Sequence, residues 1–400
     1  MSRPISLLFN PNIKTHGSTV HGIDADTAAT AQAFHRSLPG YAPTPLHALP
    51  ALSRHLGLGA VMVKDESQRF GLNAFKGLGA SFAVARALAQ HLGLADTQAD
   101  FATLQQAAAE GCLKDVTLIT ATDGNHGRGI AWAAQQLGVR AVVLMPKGSS
   151  ELRAGHIRNH GAECTITEVN YDDTVRRAAA LAEEHGWLLV QDTAWSGYET
   201  VPLWIMQGYT TLVAEAAAQW DAPPTHVFLQ AGVGSFAAAV AACLHALLGD
   251  ACPKIVIVEA EQAACYHRSM SANDGQAHAV GGDMSTIMAG LACGEVSTLA
   301  WPFLRDHSTA FAAVADCVSA EGMRVLAAPK PGTDPAILSG ESGAVGLGLL
   351  YALCSRPAYA AERAQLQLDD KARVLCINTE GDTAPDVYEA VVWRGYQGHS

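Results

Sequence analysis

The chain has little charge and few aromatic residues, and these shortages already narrow its function. Of its 400 residues, 16% are charged and 6% are aromatic, whereas 49% are hydrophobic. A disordered chain would be poor in apolar residues and rich in charge, so this composition predicts folded domains. Acidic residues outnumber basic ones, 38 to 26, which gives a net charge of −12. Because nucleic-acid binding favours a basic surface, we expect no nucleic-acid partner.

Cysteine pairs at metal or redox spacing and long apolar runs are missing as well. The nine cysteines include no C-x-x-C pair, so we expect no metal site and reduced thiols in a cytoplasmic protein. The N-terminus has no apolar run that suits a signal peptide. The uncharged stretch 231–249 approaches the length of a membrane span. It is rich in alanine and glycine and follows the strand-like HVFLQ, so we predict a buried helix and no membrane partner.

What is present is an alternation of short β-branched runs with helical patterns of about 10–15 residues. Examples of the runs are VTLIT (116–120), RAVVLM (140–145) and KIVIVEAE (254–261). Such alternation indicates βαβ units and parallel sheets. At about 150 residues per domain, we predict an α/β fold with two parallel-sheet domains and helices on both sheet faces. The larger domain would comprise 1–78 and 191–400, and the smaller one 79–190.

The segment 64–81, KDESQRFGLNAFKGLGAS, is the densest candidate for chemistry. Lys76 follows a turn that ends in Phe75, and it precedes a helical run of small residues. These neighbours would desolvate the amine and lower its pKa, as Schiff-base chemistry requires. A lysine at the start of a helix is more often simply solvated, so the residues alone leave both readings open.

This block resembles the diaminopropionate ammonia-lyases, which are pyridoxal-phosphate (PLP) enzymes of the tryptophan-synthase-β fold type. The resemblance extends from about residue 40 to 390. It implies PLP in the cleft between the two domains, with Lys76 joined covalently to the cofactor and Phe75 beside it. It also implies a homodimer and a small amino-acid substrate, 2,3-diaminopropionate, which β-elimination would convert to pyruvate and two ammonia molecules. A serine or threonine dehydratase, or another lyase or synthase of this fold type, is the alternative.

A glycine-rich turn between a strand and a helix predicts an anion site. Backbone N–H groups at a helix start favour an anion, and glycines allow close approach. The predicted cradle for the PLP phosphate consists of Gly232, Val233, Gly234 and Ser235. A plain tight turn is one alternative. The other is a dinucleotide fingerprint, in which the glycines are followed by Ala237 and by Glu259 at the next strand's end. That reading predicts a nicotinamide-dependent oxidoreductase, but it leaves the Lys76 block unexplained.

The loop TDGNHG (122–127) follows a predicted parallel strand, at the edge where α/β sheets bind ligands. The resemblance implies that Asn125 contacts the ring hydroxyl of PLP. Serine and threonine dehydratases carry Ser or Thr where this chain has Asp123. An acid there would repel a substrate carboxylate, and it suits a second ammonium or proton abstraction. The plainer readings are a helix N-cap for Asp123 and a packed turn residue for His126.

Asp192 follows the predicted strand WLLV and forms a possible partner for that acid. Without the family resemblance, the sequence around Asp192 agrees equally well with a surface turn residue. The resemblance implies that Asp123 and Asp192 accept the α-proton from opposite enantiomers.

Three further features lie toward the C-terminus. By resemblance, Thr379 in NTEGDT meets the pyridine nitrogen of PLP, although a turn or helix-cap threonine is the plainer reading. A neutral hydroxyl leaves that nitrogen unprotonated, which suits elimination better than transamination. Glu341 resembles an acid close to the cofactor. Cys265 and Cys293 flank the glycine-rich segment 275–294 and would form a gate or a disulfide if they met.

Overall fold

The computed structural model describes residues 3–14, 17–95, 99–122 and 124–398, which form two β-sheets covered by helices. The strands are β1 (Ile5–Phe9), β2 (Leu46–Ala48), β3 (Ala60–Asp65), β4 (Thr117–Ala121), β5 (Arg140–Met145), β6 (Glu163–Ile166), β7 (Leu188–Leu189), β8 (His226–Gln230), β9 (Lys254–Ala260), β10 (Ala310–Val314) and β11 (Arg373–Asn378). The helices are α1 (Ala25–Arg36), α2 (Pro50–Leu56), α3 (Gly77–His91), α4 (Phe101–Ala109), α5 (Asn125–Leu137), α6 (Glu151–Arg158), α7 (Tyr171–His185), α8 (Thr200–Ala217), α9 (Ser235–Leu248), α10 (Cys265–Ala272), α11 (Trp301–His307), α12 (Asp316–Ala327), α13 (Glu341–Ser355), α14 (Ala360–Leu366) and α15 (Pro385–Val392). The predicted α/β class is confirmed.

The larger sheet has the strand order β1-β10-β9-β8-β11-β3-β2. Its central strands are parallel, whereas β1 and β2 pair antiparallel at the two edges. The parallel-sheet prediction therefore holds for the centre of this sheet and not for its edges. Parallel pairing aligns the carboxyl ends of β3, β8 and β11, since Asn378 lies opposite Asp65. The loops that follow these three strands consequently leave the same edge of the sheet.

The smaller sheet has the order β6-β5-β4-β7 and is parallel throughout. Its last strand is shorter than the predicted WLLV, because a side chain takes over the pairing beyond it. The Gln191 side-chain carbonyl accepts the N–H of Ala121 at 2.9 Å, where a backbone oxygen would otherwise pair. All strands of this sheet lie within residues 79–190 and all strands of the larger sheet lie outside them. The domain boundaries themselves stay a prediction.

Small residues let the helices approach closely in the core. A Cβ atom on Gly79 of α3 would lie 2.5 Å from the Tyr209 ring, and one on Gly208 of α8 would lie 2.6 Å from the Leu78 carbonyl oxygen. The small residues after Lys76 thus serve the packing of α3 on α8. The apolar stretch predicted as a buried helix forms α9, whose residues 235–244 are all buried. Within the described ranges, no helix combines the length and apolar character needed to cross a membrane.

Candidate active site

A cleft of about 650 Å³ opens at the carboxyl ends of the central strands, and both sheets contribute to its walls. The residues that line it are Phe75, Lys76, Asn125, Tyr171, Asp192, Tyr209, 230–236, Gly290, Leu291, Cys293, Ser342, Thr379 and Glu380. The structure thus brings most of the predicted site residues to one cavity. Glu341 begins α13 next to the lining residue Ser342 and is itself buried. Asp123 lies outside the described residues.

A constrained turn delivers Lys76 to the cleft. Phe70 and Asn73 have φ angles of 53° and 54°, which are unusual for residues other than glycine. The Phe75 N–H donates to the Thr379 carbonyl oxygen at 3.0 Å and ties the turn to the end of β11. The Lys76 side chain is 17% exposed, and its Nζ lies 2.5 Å from Asp192 Oδ2. The amine is therefore reachable from the cleft and stands next to a carboxylate.

Asp192 is buried, and its two carboxylate oxygens have different surroundings. Oδ1 accepts hydrogen bonds from the Tyr171 hydroxyl at 3.4 Å and from Gln191 Nε2 at 3.2 Å. Oδ2 faces Lys76. Burial would raise the pKa of this carboxyl, but the positive charges of Lys76 and His126 outweigh burial and lower the pKa to about 2. Asp192 is consequently ionised at neutral pH and can accept a proton through Oδ2.

His126 was predicted as a packed turn residue, and the structure places it under the cleft. It is buried, and its Nε2 lies 2.8 Å from the Val190 carbonyl oxygen. A carbonyl only accepts hydrogen bonds, so Nε2 carries a proton. The other ring nitrogen, Nδ1, lies 3.9 Å from Asp192 Oδ2. The histidine thus packs and also contributes positive potential to Asp192 when it is protonated.

The glycine turn forms a narrow cradle at the start of α9. Gly234 has a φ of 94°, and a Cβ atom on it would collide with the Tyr266 hydroxyl. That hydroxyl donates to the Val233 carbonyl oxygen at 2.9 Å and fixes the turn from behind. The Ser235 hydroxyl donates to the Asp192 carbonyl oxygen at 2.6 Å. Tyr266 has no signal in the sequence, because it lies far along the chain from the turn that it supports.

The dinucleotide reading fails at Glu259. This acid would have to face a ribose hydroxyl, yet it is fully buried. Its carboxylate accepts the backbone N–H groups of Tyr266 at 2.8 Å and of His267 at 2.7 Å. Burial raises the pKa of this carboxyl to about 8. Glu259, the residue that would recognise a nicotinamide dinucleotide, therefore hydrogen-bonds to the start of α10 instead.

The cleft fits PLP by its unsatisfied polar atoms and its cradle. Gln230 Nε2 donates to Thr379 Oγ1 at 2.9 Å, which leaves the threonine hydrogen available to donate to an unprotonated ring nitrogen. Gln230 Oε1 and Ser342 Oγ are buried with no hydrogen-bond partner in the described structure. Because buried polar atoms are normally hydrogen-bonded, such atoms in a cavity indicate a polar ligand. With the Lys76 amine and the glycine cradle, they match a phosphorylated pyridine aldehyde.

Glu380 is a buried acid of this site that the sequence did not single out. Asn125 Nδ2 donates to its Oε2 at 2.5 Å, and the backbone N–H of Ser342 donates to its Oε1 at 2.9 Å. The neighbouring Glu341 is also buried. Burial, together with the charge of Glu380, raises the pKa of Glu341 to about 7. The only available signal was that Glu380 follows Thr379 directly.

Cys265 and Cys293 lie beside the glycine cradle. The Cys265 thiol lies 3.9 Å from the Gly232 carbonyl oxygen. A Cβ atom on Gly232 would lie 3.2 Å from Cys293 Sγ. The two cysteines thus meet at the same glycine, and the structure contains no disulfide between them.

Comparisons with known proteins agree with this geometry. A family model described as pyridoxal-phosphate dependent enzyme matches residues 37–380. The chain is 52% identical over 401 residues to a diaminopropionate ammonia-lyase of Salmonella typhimurium, with 99% of each chain covered. A crystal structure of holo diaminopropionate ammonia lyase from Escherichia coli superposes with a TM-score of 0.92 at 46% identity, covering 99% of this chain and 98% of that one. The same Escherichia coli enzyme in complex with D-serine has a TM-score of 0.91 at 46% identity, covering 98% of both chains.

Proposed function

Because the chain belongs to the pyridoxal-phosphate-dependent enzymes, and within them to the diaminopropionate ammonia-lyase family, we propose that it converts 2,3-diaminopropionate to pyruvate and two ammonia molecules. The reaction is a β-elimination followed by hydrolysis, and it consumes one water molecule. The observation that carries the proposal is the contact of 2.5 Å between Lys76 Nζ and Asp192 Oδ2 beside the glycine cradle. It places an amine, a base and an anion site in one cavity.

Residues from four strand-end loops would hold the cofactor. Lys76 provides the amine that bonds to it, and the turn 232–235 offers backbone N–H groups to its phosphate. Thr379 offers a hydroxyl hydrogen to the ring nitrogen, and Asn125 offers its amide to the ring hydroxyl. When bound, PLP withdraws electrons and acidifies the α-hydrogen of the amino acid attached to it.

Asp192 Oδ2 accepts the α-proton from one enantiomer of the substrate. Its low pKa keeps it ionised, and the hydrogen bonds from Tyr171 and Gln191 to Oδ1 hold Oδ2 toward Lys76. Asp123 serves the opposite enantiomer. Lys76 Nζ is the other group able to move a proton in the cleft. General acid–base catalysis of this kind contributes about 10²–10⁴-fold in rate.

The leaving nitrogen requires a carboxylate close to it. An amine departs readily only when it is protonated, and a nearby carboxylate favours the charged form. The cleft supplies such a carboxylate in Asp192. A substrate with a second ammonium group therefore matches this cavity better than a substrate with a neutral hydroxyl group does. Dehydration of serine is the second candidate, because the Escherichia coli relative was crystallised with D-serine.

The test is a comparison of pyruvate release from both enantiomers of diaminopropionate and from D- and L-serine. We expect the diaminopropionate enantiomers to be turned over faster than either serine. Lys76→Ala is the control that removes the catalytic amine. Faster turnover of either serine would replace the proposed function with that of a dehydratase.

We also propose that the protein is a cytoplasmic homodimer that binds a small amino acid. The described structure records no disulfide among the nine cysteines, which is compatible with a reducing compartment. The dimer rests on the family resemblance. Sedimentation of the purified protein tests it, and a monomer at working concentrations would refute it.

A further inference from the structure

Glu380 stands at a junction of three segments that all reach the cleft. Its backbone forms an antiparallel bridge with Ala74, in the turn that carries Lys76. Its carbonyl oxygen accepts the N–H of Gly340 at 2.9 Å, just before α13. Its carboxylate accepts hydrogen bonds from Ser342 on α13 and from Asn125 on α5. Helix α5 belongs to the smaller-sheet part of the chain, so this side chain spans the cleft.

The local sequence leaves room for this acid. A Cβ atom on Gly340 would lie 3.0 Å from Glu380 Cγ and 3.2 Å from its Cδ. Both distances are tighter than an ordinary carbon contact. Glu380 is 2% exposed. In the described part of the chain, no lysine or arginine forms an ion pair with it, and the groups that hydrogen-bond to its carboxylate are neutral donors.

The contact with Asn125 fixes the orientation of an amide. A carboxylate only accepts hydrogen bonds, so Asn125 must turn its Nδ2 toward Glu380. The 2.5 Å between Asn125 Nδ2 and Glu380 Oε2 is shorter than the usual N–H···O range, so the two groups are held in close contact. One amide hydrogen is thereby bound, and the second hydrogen and Oδ1 take defined directions. A free amide could present either its nitrogen or its oxygen to the cleft.

We propose that Glu380 is a positioning residue, which orients the Asn125 amide for the cofactor and ties the start of α5 to the start of α13 across the cleft. The proposal rests on the proposed function only in that Asn125 contacts the cofactor. Glu380 acts through Asn125, so it is not itself a catalytic residue.

A double-mutant cycle on cofactor affinity tests this coupling. Cofactor-free wild type, Glu380→Ala, Asn125→Ala and the double variant are titrated with PLP, and the dissociation constants are compared. We expect Glu380→Ala to weaken PLP binding by about tenfold or more, as for a lost hydrogen bond to a charged group. In the Asn125→Ala background, the same substitution should change the affinity by less than about twofold.

The visible absorption maximum of the bound cofactor is the second readout. Glu380→Ala and Asn125→Ala should shift it in the same direction, and the double variant should shift it no further. Glu380→Gln retains the shape and one acceptor oxygen, so it serves if the alanine variant fails to fold. In that variant we expect a smaller loss of affinity that again disappears in the Asn125→Ala background.

Glu321→Ala is the matched control. Glu321 on α12 also accepts a short hydrogen bond, from Arg356 Nη2 at 2.5 Å, but it does not line the cleft. Its substitution should leave the PLP dissociation constant unchanged. Additive effects of Glu380→Ala and Asn125→Ala on affinity would overturn the proposal. The assay contains no diaminopropionate, so its outcome is independent of which amino acid the enzyme consumes.

Discussion

Lys64, in β3, and Lys76, just before α3, lie at the two ends of the segment that joins these elements. Their surroundings are opposite. Lys64 is fully buried, and its Nζ contacts Glu215 Oε2 at 2.7 Å and the Thr44 carbonyl oxygen at 2.6 Å. Lys76 is 17% exposed toward the cleft and contacts Asp192. The two lysines therefore share a short segment but differ in access to ligand.

The difference separates a structural ion cluster from a chemical one. Lys64 and Arg69 are enclosed with Glu66 and Glu215, so two positive and two negative groups compensate one another away from solvent. That sealed cluster anchors the turn to α8. The Lys76 pair lies in a cavity of about 650 Å³. Ion pairs of the same residue types thus form a sealed cluster in one place and line an open cleft in the other.

The largest expected effect comes from a substitution of Lys76, the lysine that lies in the cleft. Lys76→Ala should lower pyruvate formation by more than about 10⁴-fold, since it removes the nucleophilic amine. The thermal unfolding midpoint should fall as well, because the substitution leaves the buried Asp192 without its positively charged partner. Activity assays and differential scanning calorimetry measure the two quantities. Retained turnover would contradict the assignment.

The next effect concerns the partner of that lysine. Asp192→Asn should lower turnover of one diaminopropionate enantiomer by about 10³-fold and largely spare the other, because the amide cannot accept the α-proton. Asp123→Asn should show the opposite preference. Initial rates on the separate enantiomers measure this. Equal losses on both enantiomers in both variants would reject the division of labour.

A third substitution breaks the sealed cluster instead. Glu215→Gln leaves Lys64 and Arg69 with one acid between them, and loss of a buried partner costs about 3 kcal/mol or more. We expect a lower free energy of unfolding in urea, whereas kcat per bound cofactor should stay within about threefold of the wild type. A large loss of kcat without a loss of stability would show that the cluster is not merely structural.

The smallest expected effect concerns two buried acids, Glu66 and Glu341, whose pKa values are shifted in opposite directions. Burial opposes ionisation of Glu66, but Arg69 and Lys64 outweigh it and lower its pKa to about 2. Burial and the charge of Glu380 instead raise the pKa of Glu341 from 4.5 to about 7. Between pH 4.5 and about 7, Glu341 retains a proton in the folded state that it has lost in the unfolded state. The contribution of Glu341 to stability therefore decreases as the pH rises through this range.

Glu341→Gln should therefore flatten the pH dependence of stability between pH 5 and pH 7.5. Urea unfolding of the cofactor-free protein at the two pH values measures it, with Glu321→Gln as the control that keeps the wild-type slope. An unchanged slope in Glu341→Gln would contradict the proposed protonation.

The parts of the fold that depend on local patterns were predictable, and the distant pairings were not. Alternating runs predicted β4, α5, β5, α6 and their successors, because periodicity acts within a few residues. The edge pairing of Ile5 with Val314 joins residues that are 309 positions apart, and nothing in either run specifies the partner. The shortening of β7 depends on the side chain of Gln191, which no strand pattern reveals.

The candidate site divides in the same way. Lys76 and the turn 232–235 stand in recognisable local motifs, and the structure brings both to the cleft. Glu380 and Tyr266 act on residues remote in sequence, Asn125 and Val233, so their roles follow only from the folded arrangement. Local motifs thus predicted the residues that we propose to contact the ligand, whereas the residues that we propose to orient them emerge only from the folded arrangement.

Borohydride reduction of the holoenzyme, followed by peptide mapping by mass spectrometry, tests the central claim most directly. The account predicts a pyridoxyl group on Lys76 and none on Lys64, although the two lie in the same segment. A label on Lys64 or on any other lysine, or an active enzyme that takes no label at all, would contradict it.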